Sequence, residues 1–596
     1  MLLSLILLIP NLVAADYLQS PWLLDFNPAP TAHRVAIVGG GAAGASAAYH
    51  LRQFASDSQS WISVNITLFE SSPRIGGRTT TVNAFDDQSF SVELGGSIFV
   101  KANPILYNAS RDFDLDTRAF EPKDSVSKYD LGVWDGSKFV FKQTSSDSRW
   151  LGYWDGVKLL WKYGFSPVKL QRSTKGMISK FLQLYDYPTF PFRSLKEAAE
   201  ELDMMHLVSV TGEELVHEKG ISDTFANDIL QAATRVNYAQ NLDQIHGLET
   251  LVSMAAEGAM SVEGGNWQIF DEMVRRSGAE LNLNSTVTAI TKDNATDSYT
   301  LKVESAAPDR ENLSAYDTII MATPYQFSGI EVKPKLCSLP NAIDYVSLHV
   351  TLLASPHQLA PEFFGLSDPS EVPSSVITTL PFRSLNEHDP NDFFSISTLR
   401  TIPPGYHSPK QQYLYKIFSP RPLKASFIGK LYGFDFYPES SQAGIGDVDN
   451  EHISWYHHKL WHSYPYEVPR TDFEKLKIDG EEYSAAGVWY TSGIESFIST
   501  METSAMMGRN IARLIVDHLE DNAFDESQAM AECGFCRVNP CRCGANPEYY
   551  RPWCVGRRKL QKEREGFLGQ LTWKMGGFWC MISSLAAGEP SLCSDY

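Results

Sequence analysis

Val35-Ala-Ile-Val-Gly-Gly-Gly-Ala-Ala-Gly44 is the stretch that decides the fold. Four strand-forming residues stop at Gly39, and Gly39, Gly41 and Gly44 carry the G-x-G-x-x-G spacing. An alanine-rich helical pattern then runs on to Leu51. The first glycine permits a tight turn, the second lets a pyrophosphate approach the backbone, and the third lets the helix pack on the strand. Free N–H groups of the helix's first turn, from Ala42 and Ala43, face the phosphates. Alone, this spacing also suits a purely structural glycine turn. A second strand pattern, Val64-Asn-Ile-Thr-Leu-Phe69, ends in Glu70, an acid placed to accept from an adenosine ribose hydroxyl. Strand, glycine turn, helix, strand and acid together read as a dinucleotide site.

Two more glycine clusters narrow the cofactor. Arg74-Ile-Gly-Gly-Arg78 sets two glycines between two arginines, and Glu93-Leu-Gly-Gly-Ser97 follows. The succession resembles the amine-oxidase branch of FAD-dependent enzymes. That resemblance implies that Arg78 faces the pyrophosphate, where a guanidinium offers a bidentate fork. It also implies that Gly95, Gly96 and Ser97 lie beside the isoalloxazine ring, and that the dinucleotide is FAD rather than NAD.

The length of 596 residues allows two or more domains and a large core. A formal charge of −20 argues against nucleic acid as a partner. The apolar run from Leu2 to Ile9, followed by Val13-Ala-Ala15, reads as a signal peptide over residues 1–15, with Asp16 as the mature N-terminus. Asn-x-Ser/Thr sequons at Asn65, Asn108, Asn284, Asn294 and Asn312 suit a secretory route. Cys533, Cys536, Cys541, Cys543, Cys554, Cys580 and Cys593 crowd the C-terminus and read as disulfides in an oxidising lumen. A zinc site on Cys533-x-x-Cys536 and Cys541-x-Cys543 is the competing reading, and no metal is assigned. Cys337 stands apart and is expected as a buried thiol. No later stretch is apolar enough to span a bilayer. The expected address is the secretory pathway, ending in a lysosome or vacuole or outside the cell.

The expected architecture is α/β: a discontinuous Rossmann-type FAD-binding domain, an inserted α+β substrate domain and a Cys-rich C-terminal appendage. Residues 33–120, 256–330 and 481–520 form the FAD-binding domain. Glu280-Leu-Asn-Leu-Asn284, Thr286-Val-Thr-Ala-Ile-Thr291 and Asp317-Thr-Ile-Ile-Met-Ala322 supply strands, and 485–518 supplies a glycine-containing loop and a helix. Residues 121–255, mainly helical and aromatic-rich, and 331–480 form the substrate domain. Residues 521–596 are the tail. Trp134, Phe139, Trp150, Trp154, Trp161, Phe165, Phe181 and Tyr185 are core candidates first, and walls of an apolar tunnel second.

Thr234-Arg-Val-Asn-Tyr-Ala-Gln-Asn241, Ile245-His-Gly-Leu248, Val252-Ser-Met-Ala255 and Val262-Glu-Gly-Gly-Asn266 closely resemble prenylcysteine oxidases, also called prenylcysteine lyases. The likeness covers about residues 33–515, and it departs where the family's Tyr-Gly-Gln reads Tyr238-Ala239-Gln240. Ser492-Gly-Ile-Glu-Ser496 and Ser499-Thr-Met-Glu-Thr-Ser-Ala505 resemble the closing flavin motif, with Thr500 and Met501 opening a helix towards the pyrimidine edge. Val287 resembles the residue that touches adenine. Arg235 and His246 are candidates for holding the substrate carboxylate or a water, and His349 reads as a core histidine.

The resemblance implies oxidative cleavage of farnesyl- or geranylgeranyl-cysteine. A hydride leaves the allylic carbon next to sulfur for the flavin, water adds, and cysteine and a prenyl aldehyde separate. Dioxygen takes the electrons and becomes hydrogen peroxide. A thioether has no proton to lose, so no catalytic base is named. Two alternatives stay open: an amine oxidase acting on a primary amine or polyamine, with Trp489-Tyr490 as its aromatic pair, and a secreted FAD-binding protein without catalysis.

Overall fold

The computed structural model describes residues 32–536, apart from 61, 120–126, 145–160, 257, 306–314, 381–391, 436–442 and 480–483. The chain divides into two compact units, residues 1–526 and 527–596. Of the second, only the end of the helix Met501–Cys536 is described. The leader, Asn312, Trp150, Trp154 and the tail cysteine side chains lie outside the described residues.

The first unit is built round a parallel sheet in the order Gly487–Tyr490, Thr318–Met321, His33–Val38, Val64–Phe69 and Glu280–Asn282. Its centre is covered on both faces, which is why Val35 to Val38 and Thr318 to Met321 are unbroken runs of buried residues. The helix Ala42–Asp57 follows the first strand directly and packs its alanines on the sheet. One segment departs from the sequence reading: residues 487–490 are an edge strand, paired in parallel with 318–321, rather than loop. Val488, Trp489 and Tyr490 are β-prone and find an open sheet edge, which outweighs the glycine before them.

Facing this domain is a seven-stranded sheet in the order Trp455–Pro465, Tyr345–Ser355, Gln412–Ser419, Ser395–Ile402, Ser375–Thr378, Tyr129–Trp134 and Phe139–Thr144. The two inserted stretches therefore share one sheet, joined where Ser375–Thr378 runs parallel to Tyr129–Trp134. The stretch 121–255 is not helical throughout, because alternation around Gly136 folds 129–144 into a hairpin. From Ser166 onward it is helical, packed round the buried helix Gly247–Ser253. Trp134, Phe139, Phe181 and Tyr185 join cores as expected, while Trp161 and Phe165 are exposed. Cys337, expected in a core, is exposed in a surface loop and has no disulfide partner among the described residues. Asn65, Asn108, Asn284 and Asn294 are all exposed. No helix among the described residues is long and apolar enough to cross a membrane.

Candidate functional site

The first glycine turn separates what the fold needs from what a ligand needs. Gly39 has φ +108°, and a Cβ there would lie 2.7 Å from the Ala322 carbonyl oxygen. A Cβ on Gly44 would collide with the carbonyl oxygen of Gly39. Gly41 is different: its φ of −77° suits any residue, and an added Cβ would meet only the Gly77 Cα, 3.9 Å away. Its missing side chain leaves space in front of the amides of Ala42 and Ala43. Glu70 is buried at the end of its strand, with its two carboxylate oxygens accepting from the Gly40 amide at 2.7 Å and the Ser72 amide at 2.8 Å. A carboxylate has lone pairs left for a ribose hydroxyl, and its backbone bonds fix the turn first. Val287 is buried just beyond the point where Ser285 donates to the Glu70 carbonyl.

The second glycine loop docks on the first, with the Gly76 amide donating to the Gly40 carbonyl at 2.9 Å. Arg74 braces it from within by donating to the Gly77 carbonyl. Arg78 reaches the other way, donating to the Ser463 carbonyl at 2.7 Å and to Glu495 Oε1 at 2.6 Å. Any phosphate contact by Arg78 is therefore shared with Glu495, which is itself buried and bonded by the Tyr345 hydroxyl. The Arg78 side chain keeps 37% of its surface accessible, so part of the guanidinium stays open to a ligand.

Gly95, Gly96 and Ser97 are clamped from two sides. Asn266, fully buried, donates through its side-chain amide to the Gly96 carbonyl at 2.8 Å, and its backbone N–H donates to Glu93 Oε1 at 2.7 Å. From the seven-stranded sheet Lys416 donates to the Glu93 carbonyl at 2.7 Å and to Ser97 Oγ at 2.8 Å. Burial pulls the Lys416 ammonium below the usual lysine range and pushes the Glu93 carboxyl above the carboxylate range.

The helix beginning at Met501 closes the ring. Thr500 caps it, its hydroxyl accepting from the Thr503 amide at 3.2 Å. The Met501 sulfur lies where a Cβ on Gly96 would come within 2.8 Å of it. Lower down, Gly508 brings this helix against the backbone of Ala43, and Ser46 donates to the Ala505 carbonyl at 2.6 Å. That contact fixes the relation of the helix to the first glycine turn, setting two helix N-termini beside the glycine loops. Glu502 turns away and accepts from the Ile105 and Leu106 amides and the Tyr185 hydroxyl, which ties the next helix to the ring. Beyond Lys416, the same sheet face carries Leu399, Phe418, Trp461 and Tyr464, all only partly buried.

A family model described as prenylcysteine lyase matches residues 145–528, and one described as an NAD(P)-binding Rossmann-like domain matches 37–113. The chain belongs to the prenylcysteine lyase family. Farnesylcysteine lyase of Arabidopsis thaliana is 29% identical over 496 residues, 81% of this chain and 88% of that protein. Human prenylcysteine oxidase 1 is 26% identical, over 81% of this chain and 88% of its own length. Among solved structures, cyclohexylamine oxidase from Brevibacterium oxydans aligns with a TM-score of 0.48 and 14% identity, covering 82% of this chain and 100% of that one. FAD is the cofactor, and the residues present fit it: an open cradle at Gly41, a buried carboxylate with lone pairs to spare at Glu70 and two helix N-termini.

In this member of the family, the segments that carry the family likeness fasten the helical layer to the seven-stranded sheet. Arg235 is 2% exposed and donates to the Thr378 carbonyl and hydroxyl and to Asn241, so its guanidinium is spent on protein. Gln240 binds the Pro465 carbonyl and the Glu467 amide. Ala239 adopts left-handed φ of +53°, a conformation that glycine takes without strain. His246 is fully buried and caps the helix Gly247–Ser253, its Nδ1 accepting from the Glu249 amide at 3.0 Å. Burial pushes its imidazole down to about 3, so it is neutral. His349 packs ring on ring with His458 at the sheet surface rather than in a core. Trp489 and Tyr490 lie buried in the edge strand and enter different cores on its two faces.

Sequence reasoning passed over four groups here: Lys416, Glu495, and the buried pair Glu249 and Glu467. Glu249 accepts from the Ser499 amide, next to the helix cap, and burial raises the carboxyls of both glutamates. Only motif context flags Glu495 and Glu249; Lys416 lies in a strand whose pattern gives no reason to look at it.

Proposed function

We propose that this chain is an FAD-dependent thioether oxidase that converts farnesyl- or geranylgeranyl-cysteine, water and dioxygen into free cysteine, a prenyl aldehyde and hydrogen peroxide. It would act in the breakdown of prenylated proteins. The single observation carrying this is the family match over residues 145–528, read on the structure as the helical layer and sheet that face the flavin loops. Bound FAD supplies the hydride acceptor. The chain's own contribution is placement. Gly41, Ala42 and Ala43 offer backbone amides to the diphosphate, Glu70 a ribose acceptor, and Thr500 and Met501 a helix terminus for the negative end of the ring system. Lys416, held by Ser97 and the Glu93 carbonyl, sets a cation next to the same loop.

The partly open Leu399, Phe418, Trp461 and Tyr464 supply an apolar wall for an isoprenoid, which gains about 25 cal/mol for each Å² removed from water. No general base is required, because the bond broken first is C–H beside a neutral sulfur. The amine-oxidase alternative loses its one residue-level feature, since Trp489 and Tyr490 are core residues of a parallel sheet. Exposed sequons and the apolar leader support a secretory destination, either lysosomal or vacuolar, or extracellular. The test is peroxide release from farnesylcysteine against benzylamine and spermine. Turnover of the thioether alone is expected; turnover of an amine alone would replace this reading.

A further inference from the structure

The chain carries 71 acidic and 51 basic residues, yet from Gly156 to Tyr185 there is no acid and there are six bases: Lys158, Lys162, Lys169, Arg172, Lys175 and Lys180. In the structure residues 161–163 end in a helical turn, Gly164 and Phe165 reverse the chain, and the helix Ser166–Phe181 follows. Gly164, with φ +60° and empty space around it, turns the chain so that Trp161 is 91% and Phe165 72% exposed. On the helix, Leu170, Thr174, Met177 and Phe181 face the core, while Lys169, Arg172 and Lys175 recur every three residues on the outer face.

The turn is rigidly founded: Lys162 and the Tyr163 hydroxyl both bind Asp228, at 2.8 and 3.0 Å, and Tyr163 packs edge-on against Phe225. Lys169 donates to the Gly220 carbonyl and Lys180 pairs with Asp203, whereas the neighbouring acids Glu218 and Asp223 are taken by His206 and His217. Arg172 and Lys175 have no partner among the described residues. Two exposed aromatics flanking the Gly164 turn, beside a helix whose charged residues are all basic, match what a water–lipid interface with negative headgroups takes up: rings at headgroup depth and lysines above them. An acidic protein has no solubility reason to concentrate bare cations and bare rings in one place.

We propose that the 161–165 segment and the outer face of the 166–181 helix dock this protein on an anionic phospholipid surface. Asp228 belongs to the π-helical segment Ala226–Leu230 that runs directly into the helix Gln231–Tyr238, whose end meets the inner sheet face at Ala239, so the docked side is one helix away from the apolar wall.

The test is co-sedimentation of the flavin-loaded protein with phosphatidylcholine vesicles, with and without phosphatidylserine, at low and high salt. Salt-sensitive binding to the anionic vesicles only is expected. Each removed cation should weaken it roughly fivefold, so Arg172→Gln with Lys175→Gln should cost more than tenfold, and Trp161→Ser with Phe165→Ser should abolish it. Peroxide release from farnesylcysteine in free solution should stay at the parental level in both variants, which shows that they are folded. Absence of binding by the parent, equal binding to neutral vesicles, or undiminished binding by both variants would overturn the proposal. Loss of peroxide release in the parent with vesicle binding intact would instead count against the enzymatic reading alone.

Discussion

Replacing Gly41 with alanine should remove FAD without unfolding the protein, and replacing Gly44 should do the reverse. At Gly41 the backbone is extended, with φ −77° and ψ −168°, and a new methyl group meets nothing nearer than 3.9 Å. An alanine there gains about 0.4–1 kcal/mol from a less flexible unfolded chain. Alanine is also a poorer helix N-cap than glycine, which offsets that gain. The apoprotein should therefore stay within about 1 kcal/mol of the parent. The methyl group nevertheless fills the space through which a diphosphate reaches the Ala42 and Ala43 amides. Each charge-assisted hydrogen bond lost costs about 1.5–3 kcal/mol, or roughly tenfold to a hundredfold in Kd. At Gly44 the new Cβ strikes the Gly39 carbonyl, and overpacking costs about 1–3 kcal/mol, with rigid backbone at the upper end. Denaturant melts of the apoproteins and quenching of FAD fluorescence on titration separate the two effects. Unchanged FAD affinity in Gly41→Ala, or equal destabilisation of both apoproteins, would refute the assignment of this turn.

Three further outcomes follow from single residues. Ala239→Gly relieves a left-handed alanine and should stabilise the protein by about 0.5–1 kcal/mol, read as a raised Tm with flavin content unchanged. Lys416→Met takes a cation from beside the Ser97 loop; the bound flavin should become harder to reduce by a few tens of millivolts in a potentiometric titration. Burial raises the Glu502 carboxyl from 4.5 to about 7, so the folded state holds a proton there that the unfolded chain releases. Between those values the native state binds more protons, and stability falls as pH rises, on the order of 3 kcal/mol across the window. Glu502→Gln should flatten that part of the stability–pH profile; an unaltered slope would show that another group is responsible.

The parts legible from the sequence are those in which local chemistry and fold requirement coincide. Val35 to Gly44 could be read because a buried parallel strand must be continuously apolar and the turn after it must lack side chains. Residues 487–490 were misread because a short β-prone run after a glycine becomes a strand only when a sheet edge awaits it, and that edge belongs to residues 318–321. The 129–144 hairpin was hidden for a similar reason, since it joins a sheet whose other strands lie over 200 residues away. Arg235 and His246 drew notice because charged residues in a family-like segment suggest chemistry. In the folded protein the first ties a helix to a strand and the second caps one. Lys416 shows the converse: a lysine in a strand usually points to solvent, and only the three-dimensional packing turns this one inward to Ser97.

The account turns on whether a thioether carrying an isoprenoid delivers its electrons to the bound flavin. Mixing the purified yellow protein with farnesylcysteine in the absence of oxygen tests this directly by absorption spectroscopy. Bleaching of the flavin band, with one free thiol appearing per flavin reduced, is the result the account predicts. A spectrum that stays oxidised with farnesylcysteine and with geranylgeranylcysteine alike would contradict it.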